Sequence, residues 1–67
     1  MKVEINKKEI EVSEGVSTLA QLLAAENLNG PGQAVAVENN VVRRSEWDSF
    51  TLRDGMKIMV IKAVCGG

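Results

Sequence analysis

Histidine is absent from this 67-residue sequence, and cysteine, tryptophan and phenylalanine occur once each. Without histidine, the usual general base and the commonest metal ligand at neutral pH are missing. One cysteine with no histidine offers no zinc-binding spacing. Nor can a single cysteine close an internal disulfide, so nothing in the thiol content implies secretion. No run reaches the ~18 apolar residues that suggest a membrane span. Met1-Lys2-Val3-Glu4 leads straight into a strand pattern, which argues against a signal peptide. A cytoplasmic protein is expected.

Charge is also nearly absent in net terms. Eight basic and nine acidic residues leave −1, whereas a nucleic-acid binder needs a clustered positive surface. The basic pairs Lys7-Lys8 and Arg43-Arg44 read as solvated turns or edges. Trp47 and Phe50 read as core residues rather than a stacking platform for bases. Gly30-Pro31-Gly32 precedes a strand and not a helix, so it is no phosphate loop. Glu4, Glu9, Glu11 and Glu14 fall on solvated strand or loop positions. A self-contained enzyme is not expected, and neither is a bound cofactor or metal.

At this length one domain is expected. A chain near 60 residues buries only about 60% of its unfolded surface. That allows one helix packed on one sheet and leaves little room for an enclosed active site.

Val3 and Ile5 alternate with polar neighbours, as do Ile10 and Val12 after the polar turn Asn6-Lys7-Lys8-Glu9. This is an antiparallel hairpin. Ser13-Glu14-Gly15 ends it. Leu19, Leu22 and Leu23 form an i, i+3, i+4 stripe, the mark of a helix with one buried face. Ser17 and Thr18 both qualify as its cap, Thr18 with Gln21 at capping-box spacing. The helix should reach Glu26 or Asn27, stop before Asn29-Gly30-Pro31-Gly32, and have Leu28 tucked beneath its exit.

Gln33–Glu38 is the third strand, with Val35 and Val37 toward the helix and Ala34 and Ala36 on the other face. Asn39-Asn40 signals a turn, and Val41-Val42-Arg43 a short return strand. Ser45-Glu46-Trp47-Asp48 reads as one helical turn capped by serine. Phe50 and Leu52 lie in a short strand or extended segment. Arg53-Asp54-Gly55 is a tight turn with Gly55 at positive φ.

The last strand, from Met56 to Val64, is apolar on both faces. Ile58, Val60 and Val64 share one face with Lys62; Met59, Ile61 and Ala63 share the other with Lys57. Such a strand belongs in the centre of a sheet. Its second apolar face, with Ala36, Met59, Ile61 and Ala63, is either a partner surface or covered by a loop. The order ββαβ, an irregular segment and β places the last strand between the first and third. The expected fold class is α+β: a β-grasp, with a mixed sheet and one main helix on one face. Residues 1–63 form the domain and 64–67 a flexible tail.

That tail, Cys65-Gly66-Gly67, is the candidate site. Two glycines lack Cβ atoms and lie extended in a slot too narrow for any side chain. At about 3.3–3.6 Å per residue, the segment after Ala63 carries a carboxylate on the order of 13 Å from the globule. Glycine-rich chain ends are also commonly just frayed. The carboxylate, ionised above a pKa of about 3.5, is a poor electrophile until activated. An adenylyl group from ATP, used by a partner enzyme, would make it a mixed anhydride. A sulfur nucleophile then leaves Gly67 as a thiocarboxylate, itself anionic and nucleophilic. Cys65 has two readings: it holds a persulfide beside the terminus, or it is a small tolerated residue in place of alanine or serine.

Several segments together resemble the ThiS family, the small ubiquitin-like sulfur carriers of thiamin biosynthesis. They are the hairpin from Met1 to Val12, the helix Leu19-Ala20-Gln21-Leu22-Leu23, the stretch from Ala34 to Val42, the turn Arg44-Ser45-Glu46-Trp47, the turn Asp54-Gly55 and the final Gly66-Gly67. The resemblance covers the whole chain. It implies adenylation of Gly67 by a ThiF-type adenylyltransferase, with Gly66 as its slender neighbour. It further implies sulfur from a donor such as a cysteine desulfurase, and delivery to a ThiG-type thiazole synthase. Cys65 departs from the small unreactive residue expected there and leaves an extra redox step open. The chain alone is expected to be a monomer, without nucleic-acid or membrane partners. Two alternatives stay open: a MoaD-like molybdopterin sulfur carrier, and a ubiquitin-like binding module that needs no free terminus.

Overall fold

A computed structural model of the chain describes residues 1–62. Five strands and one α-helix follow in the order β1 (Lys2–Ile5), β2 (Lys8–Glu11), α1 (Leu19–Ala25), β3 (Gln33–Val37), β4 (Asn40–Val42) and β5 (Lys57–Lys62), with a 3₁₀ turn at Arg44–Glu46. The sheet order is β2-β1-β5-β3-β4. β5 runs parallel to β1 and antiparallel to β3, so the sheet is mixed and the last strand is central. This is the β-grasp arrangement.

Both hairpins turn on two residues at positive φ. Ile5 pairs with Lys8 across Asn6 (φ 52°) and Lys7 (φ 69°). Val37 pairs with Asn40 across Glu38 (φ 50°) and Asn39 (φ 69°). Positive φ at both central positions matches the twist of the flanking strands. The second turn therefore sits one residue earlier than Asn39-Asn40 suggests, because Asn40 is needed to pair with Val37. Gly55, at φ 80°, takes the left-handed conformation expected of it.

Thr18 caps α1. Its Oγ1 accepts from Gln21 N–H at 3.3 Å, and the Gln21 side chain accepts from Thr18 N–H at 3.1 Å, completing a capping box. Ser17 contributes a further N–H to Gln21 Oε1. The N–H groups of Leu19 and Ala20 donate to the carbonyls of Phe50 and Trp47, so no first-turn donor is orphaned. At the far end, Asn27 (φ 61°) donates to Ala24 O and Leu28 to Leu23 O. That is a Schellman motif, and it folds Leu28 back onto the core.

The core is one cluster in which Leu19, Leu22 and Leu23 meet Val3, Ile5, Val35, Val37 and Ile58. Trp47, only 4% exposed, closes it from the side and donates from Nε1 to Val42 O at 3.1 Å. Phe50 packs against the same cluster. Both aromatics thus belong to the core.

Two local expectations are corrected, and a third is resolved between its alternatives. Ser45 does not cap the short helical turn: Arg43 occupies the cap position and no side chain bonds there. Of the two readings for Phe50 and Leu52, a short strand or an extended segment, the strand does not form, and the segment contributes one isolated bridge, Thr51 to Thr18. β5 begins at Lys57, leaving Met56 buried beneath the preceding turn.

Replacing Trp47 by Phe removes the buried donor to Val42 O and part of the core volume. A loss of about 1–3 kcal/mol is expected, to be read from urea unfolding followed by circular dichroism. An unchanged midpoint would mean that the hydrogen bond contributes nothing.

Candidate functional site

The candidate site is built around the end of β5. Because β5 is central, its alternate residues divide cleanly. Ile58 is buried under the helix and Val60 is partly buried with it. Met59 and Ile61 point away, 42% and 56% exposed.

Pairing aligns these residues with the small side chains of β3. Ala34 lies opposite Ile61, and Ala36 lies between Met59 on β5 and Val41 on β4. Val41 is 77% exposed. The result is an apolar patch over β5, β3 and β4, with no loop among the described residues covering Met59 or Ile61. Alanines keep it shallow, so Met59 and Ile61 stand above their neighbours.

The other half of this face is charged. Lys2 Nζ lies 3.7 Å from Glu9 Oε1, and the N-terminal ammonium 3.1 Å from Glu11 Oε2. Glu4 is aligned with Lys57 across β1 and β5. These exposed pairs add little stability, but they bound the apolar patch on one side.

Of the sequence-derived site residues, the structure brings Ala36, Met59 and Ile61 together. Ala63, Cys65, Gly66 and Gly67 lie outside the described residues, as does the expected boundary between domain and tail. Lys62, the last described residue, pairs with Gln33 at the start of β3.

For Arg44, part of a basic pair and of the Arg44-Ser45-Glu46-Trp47 turn, the structure adds a role. Its guanidinium carbon sits 4.5 Å from the centre of the Trp47 ring. Nη1 donates to Asn29 O at 3.0 Å, and Nη2 donates to Gly30 O. The side chain therefore ties the loop before β3 to the buried tryptophan. Its i, i+3 spacing from Trp47 was a visible signal; the distant carbonyls were not.

A cleft of about 430 Å³ lies elsewhere. Val37, Val42, Phe50 and Met56 form its apolar lining, with Glu38, Arg53 and Asp54 among the polar residues. It adjoins the start of β5, the end opposite Lys62. Among the described residues no group of three His, Cys, Asp or Glu side chains could hold a metal. No described helix is long and apolar enough to cross a membrane.

The model of the ThiS family matches residues 2–67. The chain belongs to the ThiS family. Its fold matches that of a crystal structure titled thiamine biosynthesis protein (ThiS) from Geobacter metallireducens, with a TM-score of 0.82 at 24% identity, covering 100% of both chains. A solution structure of a thiamine biosynthesis protein from the same organism aligns with a TM-score of 0.76 at 25% identity, over 100% of this chain and 88% of that one. The curated proteins contain no match. Members of the ThiS family are small sulfur carriers, and the family match extends through Gly66 and Gly67.

Because Ile61 is exposed and rests against Ala34, replacing it by Thr keeps a β-branched side chain on the strand. Stability should change by no more than about 0.5 kcal/mol. Binding to a partner that covers the patch should weaken, as read by titration calorimetry; equal affinity would place the interface elsewhere.

Proposed function

We propose that this chain is a sulfur carrier for the thiazole branch of thiamin biosynthesis, with Gly67 as the residue that carries sulfur. Membership of the ThiS family over residues 2–67 is the observation that carries this reading. The β-grasp body supports it by making the strand that precedes the terminal segment the central one of the sheet.

The body, residues 1–63, does no chemistry itself. A ThiF-type adenylyltransferase joins the Gly67 carboxylate to the AMP portion of ATP and releases pyrophosphate. Sulfur from a donor such as a cysteine desulfurase attacks the activated carbonyl, and AMP leaves. Where the sulfur arrives as a persulfide, this attack gives an acyl disulfide with the donor; two electrons from a thiol reductant cleave its S–S bond, leaving the thiocarboxylate on Gly67 and a thiol on the donor while the reductant becomes a disulfide. A ThiG-type thiazole synthase then accepts that sulfur. Gly66 lets the tail, residues 64–67, enter a narrow channel, and Cys65 lies on the same approach. The face formed by Ala36, Met59, Ile61 and Ala63 docks on these enzymes. ATP is bound by the adenylating partner and not by the carrier, and the exchange takes place in the cytoplasm between proteins, with the carrier a monomer when alone.

The physical logic is one of division. An anhydride or thiocarboxylate on a chain end is useful only where a second protein can enclose it. A small rigid body with an apolar docking face offers affinity, and the slender terminus offers access.

Intact-mass analysis after incubation with a competent adenylating partner, ATP and a sulfur source tests this. One oxygen should be replaced by sulfur, and fragmentation should place the change on Gly67. Deleting Gly66-Gly67 should abolish the change while leaving thermal unfolding as in the full chain. An unmodified mass with a partner that loads another carrier would overturn the reading. If the deleted chain kept full biological activity, it would be a binding module instead.

A further inference from the structure

β1 ends before β5 does. The parallel ladder between them pairs Glu4 with Lys57 and Ile5 with Ile58, and its outer bonds are Glu4 N–H to Met56 O at 2.8 Å and Asn6 N–H to Ile58 O at 2.9 Å. The next rung would reach Val60. The chain cannot supply it from backbone, because Asn6 and Lys7 turn away into β2 at positive φ.

The Asn6 side chain supplies it instead. Its Oδ1 accepts from Val60 N–H at 2.8 Å, and its Nδ2 donates to Val60 O at 3.3 Å. A carboxamide carries one carbonyl and an N–H donor, as a peptide group does, and so can stand in for one. Asn6 thus meets two demands at once. It tolerates the left-handed backbone of the turn, and it extends the ladder by one rung along the central strand.

That rung lies two residues before the end of β5. On the opposite side Val60 is aligned with Val35, and Lys62 with Gln33. The loop preceding Gln33 is in turn held by Arg44 at Asn29 and Gly30. The end of β5 is therefore flanked by a side-chain rung on one edge and an anchored strand on the other.

We propose that Asn6 is a positioning residue for carrier loading: through its amide bonds to Val60 it holds the backbone of β5 in place up to the last described residues, ahead of the segment that is loaded. This rests on the carrier reading above. Removing the rung opens β5 locally at Val60, and the partner then meets a smaller population of carrier with this strand held in place. Such a loss raises the apparent KM for the carrier and leaves kcat unchanged once the complex has formed.

The test uses the full chain with a ThiF-type adenylyltransferase and ATP. Asn6→Gly tolerates the positive-φ backbone and removes the side chain that makes the rung. Its Val60 amide should exchange with solvent about tenfold faster, while the buried Val35 amide and the thermal midpoint stay near wild type. The KM for the carrier should rise about fivefold at constant kcat. Asn6→Asp keeps the acceptor for Val60 N–H and should recover part of both effects. Unchanged Val60 exchange, an unchanged KM, a loss confined to kcat, or equal losses at Val35 and Val60 would each overturn the proposal. If the wild-type chain itself is not loaded, the carrier reading fails, while Val60 exchange still reports separately on the rung.

Discussion

β5 is hydrogen-bonded to β1 on one edge and to β3 on the other, and the fold depends on this double pairing. It joins the first strand of the chain to the last, across more than fifty residues. Closing so long a loop costs conformational entropy before any contact repays it. The return comes from burial: Val3, Ile5, Val35, Val37 and Ile58 enter one core with the leucines of α1. Once β5 is central, the assignment of faces follows from alternation alone.

Local chemistry then holds the ends of the elements. Thr18 and Gln21 close the start of α1, while Asn27 and Leu28 close its end. Asn6 and Lys7, and Glu38 and Asn39, make the hairpin turns. Glu38 does more than turn the chain, since its carboxylate accepts from Lys57 N–H at 2.9 Å and its own N–H donates to Lys57 O. The side chains of turn residues thus complete the central strand near both its ends, Glu38 at Lys57 and Asn6 at Val60. Arg44 adds a third tie, between the loop at Asn29 and Gly30 and the ring of Trp47.

Such a body suits the carrier role proposed for this ThiS-family chain. Several of its polar side chains, among them Asn6, Thr18, Gln21, Glu38 and Arg44, are engaged at caps, turns and strand ends. What it leaves facing outward is a shallow apolar field of Ala34, Ala36, Val41, Met59 and Ile61, bordered by the charged β1–β2 hairpin. Docking and chemistry are then separable, because the groups that stabilise the fold are not those that would carry sulfur.

The broad architecture was legible in the sequence. Period-2 alternation marked Val3, Ile5, Val35 and Val37 as core, a leucine stripe marked α1, and an apolar pattern on both faces marked β5 as central. These signals survive because each depends on a residue's own hydrophobicity and its spacing to near neighbours. The family resemblance was legible for the same reason, in short ordered segments. What only the tertiary structure decided were contacts between residues far apart in the chain: Thr18 over Ser17 as the cap, with the segment at Trp47 and Phe50 receiving the first helical donors; Glu38-Asn39 as the second turn; Arg44 on the carbonyls of Asn29 and Gly30; and Asn6 on Val60. Hydrogen bonds of that kind are set by where a donor and an acceptor meet in space. No local pattern of residue types records that meeting.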